Sequence, residues 1–167
     1  MKLGLDFDGV LFDAGLLKKK LEEKYGDFRK TYHANKSEGV YNFREHCEDM
    51  GVEIGEFLDT VEDYASECLY EDVEVLDEID CDKIIVTRGR RDFQEAKIKG
   101  SGILDYVDNY KIVEEYTSKD FDEVDILVDD TLEELYDFKG KKIFFDRSEN
   151  KLKDVADAVK NMLAPKY

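Results

Sequence analysis

Lys2-Leu3-Gly4-Leu5 runs without a break into Asp6-Phe7-Asp8-Gly9-Val10-Leu11. Near-continuous apolar character predicts a strand from Lys2 to Asp8 that is buried on both faces, as in a parallel sheet. Ligands of such sheets bind beyond the carboxyl ends of the strands. Asp6 and Asp8 therefore stand where chemistry is usually done, and Gly9 permits close approach of backbone or ligand. A buried strand that simply ends in an acidic turn fits these residues equally well.

Four further apolar runs read as strands: Lys83 to Thr87, Tyr110 to Val113, Asp125 to Asp129 and Lys142 to Phe145. Helical periodicity fills the gaps between them. Leu152, Val155, Ala156, Val159, Met162 and Leu163 form the apolar stripe of a last helix. Strands alternating with helices predict an α/β fold on a parallel five-stranded sheet. Roughly 70 residues separate the first two strands, where a βαβ unit needs about 30 in all. The excess, residues 14–79, is read as a helical insertion, leaving 1–13 and 80–167 as the core. Leu16, Leu17, Leu21 and Tyr25 suggest one of its helices, Tyr41 to Met50 a second, and Phe57, Leu58, Val61, Tyr64, Ala65, Cys68 and Leu69 a third. An insertion rising just after Asp8 would stand above the strand ends, where a lid belongs; a purely ornamental hairpin is the alternative. Tyr32, His33, Asn35 and Tyr41 are its candidate substrate contacts.

The charge balance excludes whole classes of partner. The 167 residues include 42 acidic and 25 basic ones, a formal net charge of −17. Such a surface repels nucleic-acid polymers and anionic membranes. An anionic substrate must be drawn in by local basic groups working against that field. Cys47, Cys68 and Cys81 form no C-x-x-C pair and suit reduced thiols, hence a cytoplasmic protein. His33 and His46 lack metal-ligand spacing. No apolar run is long enough to span a bilayer, and no signal-peptide pattern opens the chain.

The remaining strands also end on polar groups. The second ends Val86-Thr87-Arg88-Gly89 and the fourth Val128-Asp129-Asp130-Thr131, with Lys119 shortly before the fourth, on a short helix starting near Thr117 or Ser118. On one edge of a parallel sheet these ends can converge. Asp6, Asp8, Asp129 and Asp130 would then crowd a small volume, and two like charges about 4 Å apart repel by roughly 4 kcal/mol at an effective dielectric near 20. Mg²⁺, which accepts oxygen ligands and keeps open positions, is one remedy; protonation of one acid is the other. An EF-hand calcium loop is excluded, because apolar residues follow Gly9. Thr87, Arg88 and Lys119, with the backbone N–H groups from Thr87 to Gly89, describe a phosphate pocket. Arg90 and Arg91 open the next helix and are expected to pair with surface acid. Thr131 and Glu134 fit a capping box, which makes Glu134 structural.

In this order the residues resemble the haloacid dehalogenase-like phosphohydrolases. Asp6-Phe7-Asp8-Gly9-Val10 matches their first motif, Ile84-Ile85-Val86-Thr87 the second, Lys119 the third, and Ile126-Leu127-Val128-Asp129-Asp130 the fourth. The resemblance implies a Rossmann-like sheet sandwiched by helices, with a small helical cap inserted after the first strand. It implies that Asp6 is the nucleophile that takes a phosphoryl group. Asp8 would serve as general acid and then base, lending its backbone carbonyl to Mg²⁺. Thr87 and Lys119 would hold phosphate oxygens. Asp130 would be the principal acidic metal ligand, with Asp129 beside it. Lys119 lacks the Lys-Pro setting common in such proteins, so Lys111 is the fallback. Val128-Asp129-Asp130, and Gly140 to Phe145 followed by Asn150, look somewhat like 5′(3′)-deoxyribonucleotidases.

The expected activity is hydrolysis of a small phosphorylated metabolite, a nucleoside monophosphate being one candidate, through an aspartyl-phosphate. A phosphomutase on the same machinery is the nearest rival. A receiver-type signalling module places its acidic pair first and its lysine last, the reverse of the order here. A non-catalytic phosphate-binding relative would not need every reacting group that this chain carries.

Overall fold

The computed structural model describes residues 1–37, 39–114, 118–120 and 123–164. In chain order the elements are β1 (Lys2–Leu5), α1 (Ala14–Tyr25), α2 (Phe28–Tyr32), β2 (Lys36–Ser37), β3 (Val40–Tyr41), α3 (Phe43–Met50), α4 (Ile54–Ala65), β4 (Asp82–Arg88), α5 (Arg91–Ser101), β5 (Asn109–Val113), β6 (Ile126–Asp129), α6 (Leu132–Tyr136), β7 (Lys141–Phe144) and α7 (Leu152–Leu163). The main sheet has the order β5-β4-β1-β6-β7, with every neighbouring pair parallel.

β1 lies at the centre, with Leu5 in register with Ile85 on one side and Val128 on the other. Leu3, Leu5, Ile126 and Val128 are fully buried, as a strand covered on both faces requires. The chain builds outward from β1 through β4 to β5, then returns to the far side for β6 and β7. The carboxyl ends of β4, β1 and β6 therefore meet where the winding direction reverses, the place where open α/β sheets bind ligands. No helix among the described residues is long and apolar enough to cross a membrane.

All five predicted strands are present; four have ends shifted by at most one residue, while β1 stops at Leu5, three residues before the expected Asp8. The Asp6 N–H still donates to the Val128 carbonyl at 2.8 Å, so the ladder holds Asp6 even though the strand has ended. The stripe of α7 buries Leu152, Val155, Ala156 and Val159, whereas Leu163 is exposed at the fraying end.

The insertion is less purely helical than its periodicity suggests. Its three expected helices are α1, α3 and α4, but a short helix α2 and an antiparallel pair, β2 with β3, stand between them. Two-residue strands are too short to carry a period-two signal. α4 ends at Ala65; Cys68 and Leu69, read as its continuation, instead return the chain beside its start. Leu69 bridges to Phe12, the Asp13 N–H donates to the Cys68 carbonyl at 2.7 Å, and the Tyr70 N–H donates to the Leu11 carbonyl at 3.0 Å.

One apolar core runs through insertion and sheet alike, joining Phe28, Phe43 and Phe57 to Phe7, Phe93 and Ile98. α4 lies directly on α5, and Gly100 allows the contact. A Cβ at Gly100 would sit 2.0 Å from the Glu62 carbonyl oxygen. Gly100→Ala should therefore lower Tm by several degrees. The overpacking costs about 1–3 kcal/mol, against about 1 kcal/mol gained in helix propensity. An unchanged Tm on thermal denaturation would mean that α4 and α5 part freely, as a hinged cap would.

Candidate active site

The turn after Asp6 explains the glycine. Leu11 and Phe12 N–H groups both donate to the Phe7 carbonyl at 2.9 Å, folding residues 7–12 back on themselves. Gly9 has φ +79°, and a Cβ there would lie 2.1 Å from Asp130 Oδ2. Any side chain at position 9 would thus displace Asp130, just past the end of β6, as well as strain the backbone.

Lys119 is the junction of the site. Its ammonium donates to Asp6 Oδ1 at 2.9 Å and to Asp129 Oδ2 at 2.7 Å. All three are buried, Asp129 completely. Among the described residues the short helix expected at Lys119 is not seen: residues 118–120 form a bend in which the Asp120 N–H donates to Ser118 Oγ at 3.0 Å, and Thr117 and residues 121–122 lie outside the described residues. Lys111, the fallback, projects from β5 and pairs with Glu123; Lys119 is the lysine that meets the acids.

Carboxylate oxygens of Asp6, Asp129 and Asp130 lie within 4.8 Å of one another. Burial pushes the Asp6 carboxyl above the usual carboxylate range; Lys119 pulls it down, and Asp129 pushes it further up. Burial also raises Asp130, with Asp129 adding to the effect. Burial disfavours the Lys119 charge, but Asp6 and Asp129 hold its ammonium above its ordinary range. A single ammonium thus faces three carboxylates, the excess negative charge of an oxygen-only cation site. Asp129 is the least available of them, because Oδ1 takes the Thr131 N–H at 2.9 Å while Oδ2 takes Lys119. Asp6 and Asp130 are the two that open to the cavity.

Asp8 departs from the expected metal set in its side chain. Its carboxylate lies outside that group, and both its oxygens accept from Lys97 Nζ at 2.7 Å. Lys97 is almost completely buried on α5, its ammonium 5.1–5.7 Å from the ring centres of Phe93, Phe12 and Phe7. Sequence reasoning missed this residue, although there was a signal: Lys97 falls on the apolar stripe with Phe93, Ala96 and Gly100, where a lysine needs a partner.

Thr87 is buried at the end of β4, its hydroxyl 3.4 Å from Gln94 Oε1. Arg88 grips Glu134 with both ends of its guanidinium, Nε to Oε1 at 2.5 Å and Nη2 to Oε2 at 2.9 Å. Burial opposes the Glu134 charge, yet Arg88 holds its carboxyl below the usual range. The capping box read at Thr131 and Glu134 is therefore absent. The Thr131 hydroxyl turns to Asp130 Oδ1 at 3.1 Å, and Glu134 serves Arg88 instead of the helix N-terminus. Arg91 pairs on the surface with Glu95 and Glu114, as expected.

A single cavity of about 550 Å³ is lined by Asp6, Asp8, Thr87, Arg88, Lys119 and Asp130. The insertion supplies its other wall through Ala14, Lys36, Gly39 and Tyr70. Arg147 underlies that wall: it stacks 4.0 Å from the Tyr70 ring centre, donates to the Val10 carbonyl at 2.5 Å and pairs with Asp72 at 2.8 Å.

The sheet order and this arrangement have counterparts among solved structures. A Burkholderia xenovorans LB400 protein assigned to the haloacid dehalogenase-like hydrolases superposes with TM-score 0.67 at 16% identity, covering 98% of each chain. The chain has the haloacid dehalogenase-like fold. L-2-haloacid dehalogenase from Xanthobacter autotrophicus superposes with TM-score 0.58 at 15% identity, over 98% of this chain and 84% of that one. A haloacid dehalogenase-like family hydrolase from Xanthomonas campestris gives TM-score 0.53 at 17% identity, over 87% of this chain and 82% of that one. No family profile matches the sequence, and no curated protein does.

Proposed function

We propose that the chain is a Mg²⁺-dependent phosphomonoesterase acting on a small phosphorylated metabolite through an aspartyl-phosphate. One observation carries the reading: Lys119 bridges Asp6 and Asp129 beside Asp130, at a cavity that Thr87 also lines. An Asp6 oxygen attacks phosphorus, and the bond from phosphorus to the leaving oxygen breaks. The proton for that oxygen comes from the Asp8–Lys97 pair. Water then attacks the phosphorus of the aspartyl-phosphate, Asp8 takes its proton, and inorganic phosphate leaves with Asp6 regenerated. Lys119 and Thr87 face the phosphoryl oxygens on which negative charge is spread. Asp6 and Asp130, with Asp129 behind them, would hold Mg²⁺, which supplies further neutralisation of that charge.

The test is release of inorganic phosphate from a panel of monoesters, with Mg²⁺ and with a chelator. Metal-dependent release supports the proposal. Isomerised product in place of free phosphate would make the chain a mutase. Halide release from 2-chloropropionate, without phosphatase activity, would make it a dehalogenase.

Binding should also show in stability. At Mg²⁺ about 100-fold above Kd, the fold gains roughly 2.7 kcal/mol, or about 5–10 °C in Tm for a chain of this size. The sign of the pH dependence follows from Asp6 and Asp130. Their folded-state carboxyls titrate above the unfolded ones, so the metal-free fold loses stability as pH rises through that range. The Mg²⁺ shift should therefore be larger at pH 8 than at pH 5. Equal Tm with and without the ion at pH 8 would remove the metal from the proposal.

A further inference from the structure

A second, smaller chamber opens off the cavity and shares Asp8, Ala14, Lys36, Gly39 and Arg88 with it. It holds about 200 Å³ and is walled by Leu17, Phe28, Tyr32, Tyr41 and Phe93. Of the four insertion residues singled out from the sequence, Tyr32 and Tyr41 line it. His33 packs edge-on against Tyr32, and Asn35 is spent on the Thr31 carbonyl and Asp49. An apolar cavity of about 150 Å³ accommodates a benzene-sized ring. The chamber thus takes a group the size of one ring.

The lining of the chamber is rich in cations in a chain that carries a net charge of −17. Lys18, Lys36 and Lys97 all line it. Lys97 is committed to Asp8. Among the described residues neither Lys18 nor Lys36 has a carboxylate within ion-pair distance; the Lys18 ammonium lies 4.2 Å from the centre of the Tyr32 ring. Burial lowers the Lys18 ammonium below its ordinary range, and repulsion from Lys36 lowers it further. Lys18 and Lys36 repel one another with Asp8 as the acid that attracts Lys18, and an added anion between the two lysines would relieve that repulsion.

We propose that the substrate carries a second anionic group. It is a phosphomonoester whose leaving group places a six-membered ring in the aromatic chamber and presents a carboxylate or second phosphate to Lys18 and Lys36. This rests on the phosphomonoesterase reading and narrows its substrate class.

The test compares phenyl phosphate with 4-carboxyphenyl phosphate and 1,4-phenylene bisphosphate, by kcat/KM for phosphate release at saturating Mg²⁺. At least one doubly anionic ester should exceed phenyl phosphate about tenfold or more, the size of one charge-assisted hydrogen bond. Whichever ester leads names the second group. Lys18→Gln, a change at a half-buried site on α1, should bring the ratio to within about threefold. A wild-type ratio near one, or a preference that survives Lys18→Gln, overturns the proposal. Calorimetry with the inert benzylphosphonate and its 4-carboxy analogue separates the two readings. Tighter binding of the carboxy compound without hydrolysis of any ester sustains the second-anion site and overturns the hydrolase. Equal binding of the two phosphonates overturns the second-anion site.

Discussion

Asp6→Asn is expected to reduce phosphate release by about 10⁴-fold or more, the scale of removing a nucleophile, while Tm holds or rises. Asn keeps the shape of the side chain, and its amide oxygen can still accept from Lys119, which reaches Asp6 at 2.9 Å. It has no anionic oxygen to attack phosphorus. It also removes a buried charge from a place where one ammonium meets three carboxylates. Burial raises the Asp6 carboxyl, so the ionised form costs the metal-free fold stability as pH rises through that range. The variant should therefore gain most over the wild type at pH 8 and little at pH 5. Phosphate assays with thermal denaturation at both pH values read both halves. Retained turnover would strip Asp6 of the nucleophile role; a large fall in Tm would show that the site depends on its charge.

Lys119→Met should have the largest effect on stability. Methionine approximates the lysine stem but leaves Asp6 and Asp129 buried without their ammonium. Breaking a buried ion pair by removing one partner costs about 3–5 kcal/mol, which for a chain of this length is roughly 10 °C or more in Tm. The deficit should shrink toward pH 5. With the ammonium gone, the Asp6 carboxyl titrates higher still, and its protonation relieves the repulsion within the cluster. A Tm within about 2 °C of the wild type at pH 8 would mean that the acids do not need Lys119. The two variants pull stability in opposite directions, as one cation shared among three acids requires.

Much of this was legible in the residues themselves. The central strands β1, β4 and β6 are buried along most of their length, with few polar positions to interrupt their apolar runs, so they and the acids at their ends could be read directly. The Gly9 turn follows from the same run, because acid, glycine and apolar residue in succession leave few backbone choices. The insertion was harder to read. β2 and β3 are two residues each, and Cys68 and Leu69 kept the helical period of α4 while turning back to Phe12. Thr131 and Glu134 have the spacing of a capping box, yet the Arg88 guanidinium at the end of β4 competes more strongly for Glu134 than a helix N–H does.

The sequence by itself determined the alternation of strand and helix and which acids, hydroxyl and lysine end up at the strand ends, because hydrophobic period and chain order are local properties. Only the tertiary structure decided the partners. Lys97 reaches Asp8 across 89 positions of chain, Lys119 reaches Asp6 across 113, and Arg88 reaches Glu134 across 46. Such pairings arise because buried charges must be matched in space, and spatial neighbours are set by how α4, α5 and the sheet pack together, which no local pattern encodes.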